Sequence, residues 1–453
     1  MSELKRELGL PGAIVTGLGS IVGTGVFVSI AVAAGMIGPA VVPAVALAAL
    51  VAACNGLSSA QLAANHAVSG GTYEYGYRFL HPIAGFVAGT MFLAAKSASA
   101  ATAAQGFTGY LLGLFRVADG PIYAVGAIAA VLIVTIVVLG GVRRTGTVNG
   151  VIVSVTIGAL VVFVVAGLAL AAGGAHPVPA DGGAMGAGGA AAEPEADAFT
   201  PFLVTPAGEA PIVAFLGAIA FLFVAYTGYG RIATLGEEVR DPRRTIPKAV
   251  VLTLAVSMLL YAAVAFTGVR LLGSAGLAAA ARDGAAPLEE AARVTGAAWL
   301  PVVLAVGAVT AMFGVLLNLI LGLSRVLLAM GRRRDMPSFF AKINAAGTTP
   351  VAAVIAVAVL VAGLTLIGDV RTTWSFSAFT VLVYYALTNL AALFVPKEGR
   401  LYPRVFSVAG LIFCLGLAAF IDPPVLLAGL VVLVAAVLVA LLLQALRRKS
   451  AGT

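Results

Sequence analysis

The chain has 453 residues, of which 61% are hydrophobic and only 10% are charged. This composition is typical of a protein with many membrane-spanning segments, and it excludes a soluble domain built around a large apolar core. The formal net charge of +8 is compatible with a nucleic-acid partner, but the positions of the basic residues account for the charge without one.

Apolar stretches of the length that crosses a bilayer, about 20 residues, follow one another along the chain. Clusters of Pro and Gly separate them. We predict twelve spans, at approximately residues 11–35, 39–64, 83–114, 121–140, 147–172, 210–236, 247–272, 300–331, 350–368, 372–395, 404–421 and 424–446. The N-terminus leads directly into the first span without the apolar region and cleavage site of a signal peptide, so we predict none.

The basic residues predict the orientation of the chain. If the N-terminus is cytoplasmic, nineteen of the 27 lysines and arginines lie in cytoplasmic segments, five lie outside and three lie within spans. Cytoplasmic loops of membrane proteins carry such an excess of positive charge. We therefore predict a multi-pass protein of the cell membrane with cytoplasmic N- and C-termini, whose partner is the lipid bilayer and not nucleic acid.

The first segment contains the glycine-rich stretch Gly17-Leu-Gly19-Ser-Ile-Val-Gly23-Thr-Gly25-Val-Phe27 near its middle. Each glycine costs a helix about 1 kcal/mol relative to alanine. Unpaired backbone groups at this depth are tolerated only where they line a cavity or are buried in protein. One interpretation is a broken helix, whose free amides and carbonyls suit a small zwitterion. The alternative is a glycine-rich face for helix packing.

Lys96 lies near the middle of the third segment. A lysine at the centre of a membrane helix costs about 2.5–3.5 kcal/mol on insertion scales, so it is a candidate functional residue. No Asp or Glu lies near the middle of any predicted span, and burial without a partner disfavours the ammonium form. Lys96 is therefore a candidate proton carrier. The alternative is a structural amine that bonds to the carbonyls of a broken helix or reaches an aqueous vestibule.

The loop over residues 173–209 is rich in Gly and Ala, contains no Lys or Arg, and carries five acidic residues. In the predicted orientation it is extracellular. It either concentrates cations near an entrance or is a solvated linker.

The sixth segment contains a second glycine-interrupted stretch, Phe223-Val-Ala-Tyr226-Thr227-Gly228-Tyr229-Gly230. Such interruptions therefore occur in the first and sixth segments, five apart. Matching interruptions in two halves of a chain indicate a transporter built from inverted repeats. This pairing favours the broken-helix interpretation over the packing face.

Three stretches resemble the amino acid–polyamine–organocation (APC) family: Gly17 to Phe27, Ala225 to Pro247, and Leu316 to Pro337. The resemblance implies an all-α membrane protein with a five-plus-five inverted repeat, discontinuous helices 1 and 6, and two extra C-terminal helices. It divides the chain into residues 1–172 (first repeat), 173–209 (extracellular loop), 210–395 (second repeat) and 396–453 (helices 11 and 12 with a basic tail).

The resemblance also implies a substrate site. The amides around Thr24, Gly25 and Val26 would bind a carboxylate at the positive end of a half-helix. The carbonyls of Ile21, Val224 and Thr227 would accept from the substrate ammonium. Gly23, Tyr226 and Gly228 complete the implied substrate-binding set. Tyr226 and Tyr229 are candidates for an aromatic gate, with ordinary helix packing as the alternative.

Some proton-coupled APC members carry a lysine in the fifth helix, and the corresponding position here is Thr156. This departure puts the family's coupling scheme in doubt. We hypothesise that Lys96 takes over the coupling role from the third helix, with Thr156 marking the replaced position. The proton is then the coupling ion, although sodium stays an alternative.

Arg231 follows the second interruption, and with Lys96 it places two positive groups near the site. Neutral amino acids are therefore favoured over acidic ones, and cationic ones are disfavoured. Arg231 alternatively pairs with Glu237 or Glu238. Those two residues, followed by Asp241-Pro242-Arg243, resemble an inner-gate ion-pair cluster, and Arg231 and Tyr229 are assigned to the gate with them.

The leading function is a secondary transporter of amino acids that works by alternating access. Related alternatives are an amino acid exchanger or a permease for cationic or acidic amino acids. A channel or a substrate sensor on the same fold is the alternative of another class. We expect no enzymatic activity, metal site or cofactor, because His66, His81 and His176 lie in loops or at span edges and there is no P-loop.

Overall fold

The structure is a computed structural model that describes residues 8–66, 70–115, 117, 120–140, 146–172, 198–206, 208–233, 239–282, 286–344 and 349–451. Helices form nearly all of these described residues. The α-helices are α1 (Leu10–Ile21), α2 (Ile30–Ile37), α3 (Val41–Asn65), α4 (Thr72–Phe79), α5 (Pro82–Leu114), α6 (Pro121–Leu139), α7 (Gly146–Ala172), α8 (Pro211–Phe223), α9 (Gly230–Ala233), α10 (Pro242–Arg282), α11 (Pro287–Arg293), α12 (Trp299–Arg332), α13 (Val351–Ile367), α14 (Val370–Leu393), α15 (Arg404–Ala418) and α16 (Pro423–Ala451). Shorter helical turns are Gly25–Ser29, Gly38–Ala40, Val224–Tyr229, Ser338–Ala341 and Lys397–Gly399.

Within these described residues, nine helical stretches are long and apolar enough to cross a membrane, and α1, α13 and α15 are shorter apolar helices. The predicted all-α membrane class is therefore confirmed. The count of twelve spans, the inverted repeat and the division of the chain into domains stay predictions.

One helix and one loop differ in detail from the predicted segments. The seventh segment, predicted over 247–272, extends as α10 to Arg282 through Gly273, whose φ of 71° is a left-handed conformation that glycine adopts without strain. In the loop predicted over 173–209, residues 173–197 and 207 lie outside the described residues. Its later part is anchored, because Ala40 N donates to Phe202 O at 2.9 Å and Val204 N donates to Ile37 O at 3.3 Å.

The bundle has two ends of different character. We call the end that carries Arg240, Arg333 and Arg447 the basic face, and the end that carries Glu289 and Asp369 the opposite face. The chain enters at the basic face, where Arg240 N donates to the Leu8 carbonyl at 2.8 Å.

Helix α5 is the central element of the bundle, because it packs against α4, α6, α12, α13, α14 and α16. Its middle turns consist of small buried residues, including Ala95, Ser97, Ala98 and Ala101. Small side chains let helix backbones approach closely within a membrane. This close packing places the Lys96 side chain of α5 against the second interrupted helix.

Candidate substrate site at two helix breaks

The first interruption lies between α1 and α2. Helix α1 ends at Ile21, Val22 is extended with ψ of 106°, and a single π-helical turn over Gly25–Ser29 leads into α2. The Thr24 hydroxyl is buried and has no hydrogen-bond partner among the described residues. The glycine-rich stretch therefore contains a helix break with a buried polar group, as the broken-helix interpretation predicts.

The second interruption lies between α8 and α9, where the 3₁₀ segment Val224–Tyr229 replaces α-helix. The two breaks contact each other through glycines. A Cβ atom added to Gly228 would lie 2.6 Å from Ile21 N, and one added to Gly25 would lie 2.8 Å from Ala225 Cα. Real Cβ atoms essentially never approach other atoms within 3.0 Å. Glycine is needed at both positions because backbone packs directly on backbone.

A small cavity of about 40 Å³ lies where the two breaks meet. A buried water needs about 10–15 Å³ on this measure, so the cavity has room for roughly three waters but not for an amino acid. Its lining combines backbone of both breaks with side chains of α5, α12 and α14. The lining residues are Ser20, Ile21, Thr24, Gly25, Lys96, Ser99, Val224, Ala225, Thr227, Gly228, Val315, Leu319 and Trp374.

Lys96 reaches the second break directly. Its side chain is buried, with 8% of the residue exposed, and its Nζ donates to Thr227 Oγ1 at 2.7 Å. Thr227 Oγ1 in turn donates to the Val224 carbonyl at 2.8 Å. The ammonium group is thus connected through one hydroxyl to a backbone carbonyl of the 3₁₀ segment.

Hydroxyl groups occupy the three carbonyls that the resemblance assigns to the substrate ammonium. Tyr261 OH donates to Ile21 O at 2.8 Å, and Tyr385 OH donates to Thr227 O at 3.2 Å. The third, Val224 O, accepts from the Thr227 hydroxyl. A carbonyl oxygen has two lone pairs, and Thr227 O also accepts from Gly230 N, so a further donor fits at Ile21 O more readily than at Thr227 O.

Several predicted site residues lie beside the cavity and do not line it. Gly23 packs against Val315, and Val26 is fully buried in the π-helical turn. Tyr226 points away from the cavity, because its hydroxyl donates to Val45 O at 3.1 Å. The ring of Tyr229 packs against that of Tyr385, with 5.3 Å between centroids. Both tyrosines are buried as in ordinary helix packing, so the arrangement lends no support to an aromatic gate over the cavity.

The predicted coupling and gating residues are spread more widely. Thr156 is buried in α7, and its hydroxyl donates to Ile152 O of its own helix at 2.8 Å, so it bonds to neither break. Arg231 lies on α9 and is partly exposed. The pairing proposed for it involves Glu237 and Glu238, and both of these lie outside the described residues.

Sequence reasoning missed part of the cavity wall. Ser99 follows Lys96 by three residues and lies on the same helix face, so its spacing was a usable signal. Trp374 comes from α14, where its Nε1 donates to Phe221 O at 2.9 Å. The hydroxyls of Tyr261 and Tyr385 come from helices remote in sequence, and nothing local to them indicates the contact.

Comparison with known proteins identifies the family. The sequence profile of the amino acid permease family matches residues 12–449, nearly the whole chain. The chain belongs to the amino acid permease family. The APC resemblance is thereby confirmed, and the protein is a multi-pass membrane transporter of amino acids rather than an enzyme.

The relatives of this permease differ in substrate. An uncharacterized transporter of Mycobacterium tuberculosis is 40% identical over 431 residues, covering 95% of this chain and 90% of the relative. A branched-chain amino acid permease of Bacillus subtilis is 25% identical, covering 92% and 86%. The vacuolar cationic amino acid transporter 4 of Arabidopsis thaliana is 26% identical, covering 88% and 65%. All three names describe a transporter or permease, and the two that name a substrate differ in the amino acid.

Proposed function

We propose that this permease is a secondary transporter of neutral amino acids that works by alternating access around its two helix breaks, with Lys96 as the proton carrier. The proposal includes the cell membrane as its location, cytoplasmic termini and an inverted-repeat core. It rests above all on one observation: a polar cavity at the contact of two broken helices, with the Lys96 side chain as its one charged lining group among the described residues.

The cavity offers complementary groups to the head of an α-amino acid. Thr24 supplies a buried hydroxyl without a partner, at the start of the half-helix whose amides the carboxylate would meet. Of the carbonyls assigned to the substrate ammonium (Ile21, Val224 and Thr227), Ile21 O would accept from it most readily, beside its bond from Tyr261 OH. Because these groups are dipoles, they bind a zwitterion without adding a net buried charge.

Charge in the cavity argues against cationic substrates. The Lys96 ammonium lines the wall next to Ser99, so a substrate guanidinium or ammonium there would bring two like charges together at low dielectric. The apolar side chains Val315, Leu319 and Trp374 suit an uncharged substrate side chain instead. An acidic substrate would pair with Lys96, and it is the second candidate that the same observation allows.

The size of the cavity supports alternating access. At about 40 Å³ it is too small for an amino acid, so loading requires the broken helices to separate from their neighbours. Glycine contacts between the breaks allow them to part and to close again without side chains interlocking.

A thermal-shift screen of the purified protein against the standard amino acids, at two pH values, tests the substrate class. A ligand at 100 times its Kd stabilises the folded state by about 2.7 kcal/mol. We expect neutral amino acids to raise the melting temperature. Stabilisation by arginine or lysine alone would contradict the proposal. Saturable counterflow in liposomes then separates a transporter from a channel or a sensor.

Substitution of Lys96 tests the coupling. We expect Lys96→Ala, which carries no proton, and Lys96→Arg, which stays charged at all working pH values, both to lose uptake driven by a pH gradient. Counterflow at equal pH needs no net proton movement and should persist in at least one of them. Unchanged gradient-driven uptake in Lys96→Ala would refute the coupling role and leave the assignment as an amino acid transporter intact.

A further inference from the structure

A row of buried polar side chains runs along the interface between α5 and α14, from the cavity toward the opposite face. On α5 its members recur every third residue, so each lies beside the next while the row winds around the helix by about 60° per step. We call this row the polar ladder, and its members are Lys96, Ser99, Thr102 and Gln105 of α5 with Ser377 and Thr373 of α14.

The polar ladder has two hydroxyl rungs and a polar end. Ser99 Oγ and Ser377 Oγ are 2.8 Å apart, and Thr102 Oγ1 and Thr373 Oγ1 are also 2.8 Å apart. At the outer end, Thr373 Oγ1 lies 3.3 Å from Gln105 Oε1 as a donor. The row is therefore connected by hydrogen bonds within each rung.

The outer end of the ladder meets a much larger cavity. Gln105 Nε2 donates to Gly368 O at 2.6 Å, and Thr373 Oγ1 lies 2.8 Å from Asp369 O, which is an alternative acceptor for the one Thr373 proton. Asp369 is exposed and lines a cavity of about 610 Å³ at the opposite face. The inner end, Ser99, lines the small cavity together with Lys96. The ladder thus runs from the wall of the small cavity to the backbone of a residue that lines the large one.

Helix association alone does not account for this pattern. Ser, Thr and Gln pairs do hold membrane helices together, at about 0.6 kcal/mol each on average. On α5, however, the row is interrupted next to Lys96 toward the basic face. On the same spacing the positions there are Leu93, which is apolar, and Thr90, whose hydroxyl donates to Phe86 O of its own helix at 3.0 Å.

We propose that the polar ladder is the path by which protons reach Lys96 from the opposite face. This inference rests on the proposed coupling role of Lys96. Each hydroxyl oxygen accepts a proton and releases its own to the next group, and the neutral Lys96 amine ends as an ammonium that donates to Thr227. Adjacent rungs are three residues apart on α5, about 4.5 Å along the axis, so one water between rungs completes the relay.

No other charged group of the described residues shares the cavity with Lys96. On α14, the hydroxyl of Tyr385 bonds to the Thr227 carbonyl, and Arg371 lies at the opposite face, where it pairs with Asp422 and lines the large cavity. Toward the basic face, Glu74 of α4 pairs with Arg333 just after α12, and Arg447 of α16 pairs with Asp335. Arg325 of α12 is exposed and does not line the cavity. Lys96 is therefore the acceptor at which the path ends.

Uptake of a radiolabelled mixture of the standard L-amino acids into proteoliposomes tests the path. The test variant is the double substitution Thr102→Val and Thr373→Val, which replaces the hydroxyls of one rung with methyl groups. Positioned proton-transfer groups contribute about a hundredfold or more to rates, and water replaces part of that, so we expect gradient-driven uptake to fall by about tenfold or more. Counterflow at equal pH should stay at the wild-type rate.

Thr108→Val is the matched control. Thr108 continues the same spacing on α5 and is equally buried, and its hydroxyl donates to Ala104 O of its own helix at 3.0 Å, as that of Thr102 does to Ala98 O. Its side chain packs against Gly126 of α6 and not against the hydroxyls of α14. We expect both rates to stay at the wild-type value. Wild-type gradient-driven uptake in the double variant would overturn the path.

If the double variant loses counterflow as well, the single substitution Ser99→Ala, which removes only one hydroxyl, becomes the test of the path. Unchanged gradient-driven uptake in Ser99→Ala would also overturn the path. Lys96→Ala separates this failure from failure of the proposed function. Loss of coupling in Lys96→Ala with intact coupling in the ladder variants refutes the path alone, whereas coupling that survives Lys96→Ala refutes both.

Discussion

Replacing Gly228 with alanine should separate the two helix breaks. The added Cβ would overlap the Ser20 carbonyl and would lie 2.6 Å from Ile21 N, whereas ordinary contacts begin at 3.4 Å, so the backbones must move apart by about 1 Å or more. The obstacle is backbone, which cannot rotate away as a flexible side chain does. Overpacking of this kind costs about 1–3 kcal/mol, which corresponds to about 5- to 150-fold in affinity if the site absorbs it.

Substrate-induced thermal shift and counterflow in liposomes measure this effect. We expect Gly228→Ala to weaken apparent affinity within that range, or to lower the melting temperature where the rest of the fold absorbs the strain. Gly158→Ala on α7 is the control, because a Cβ there has no heavy atom within 4 Å, and both properties should be unchanged or slightly improved. Wild-type affinity together with a wild-type melting temperature in Gly228→Ala would refute direct backbone contact between the breaks.

Three further predictions concern other parts of the fold. Tyr261→Phe should lower the melting temperature of the unloaded protein, because an unsatisfied Ile21 carbonyl costs about 1–3 kcal/mol, and substrate should then stabilise the variant more than it stabilises the wild type. Equal stabilisation of both would count against a role of that carbonyl in binding. Asp335→Ala should destabilise the protein in thermal unfolding more than Arg447→Ala, because Tyr73 OH and Tyr77 OH donate to the buried carboxylate at 2.6 Å and would lose their acceptor at about 1–3 kcal/mol each. In Arg447→Ala the carboxylate keeps both tyrosine donors and loses only a half-exposed guanidinium; equal losses would contradict this. Burial raises the pKa of the Glu289 carboxyl, so the stability that its neutral form contributes is present at low pH and is lost as the pH rises through that raised pKa. The melting temperature of Glu289→Gln should therefore decline less than that of the wild type between pH 4.5 and neutrality, and parallel curves would exclude the effect.

The helix breaks and the intramembrane lysine could be read from the sequence, because their causes are local. Glycine disfavours helix wherever it occurs, and an unpartnered lysine within a long apolar stretch is conspicuous without any tertiary information. Seven predicted residues accordingly line the cavity: Ile21, Thr24, Gly25, Lys96, Val224, Thr227 and Gly228.

The tyrosines show why the rest of the site could not be predicted. Tyr226 is adjacent to the second break in sequence, which made it the natural candidate, yet its hydroxyl bonds to Val45 O. A 3₁₀ segment has three residues per turn, so side chains leave it in directions that α-helical periodicity does not anticipate. Tyr261, from the next long helix, reaches the first break instead. Such contacts depend on how helices pack together, and the local sequence does not predict that packing.

The polar ladder could likewise be predicted only in part from the sequence. Its α5 members are regularly spaced and were visible in the sequence, but Ser and Thr are also common in membrane helices for packing reasons. The partners Ser377 and Thr373 distinguish a connected row from a scattered one, and they become apparent only once α14 is placed against α5.

The tyrosine hydroxyls on the break carbonyls bear on how the carrier returns after releasing its cargo. Tyr261 and Tyr385 donate to Ile21 O and Thr227 O. A break carbonyl without a donor in an apolar surrounding carries a free-energy cost. With the protein's own hydroxyls in place, a carrier that has released its cargo avoids that cost. We therefore expect it to reorient empty, which would permit net accumulation without obligatory one-for-one exchange.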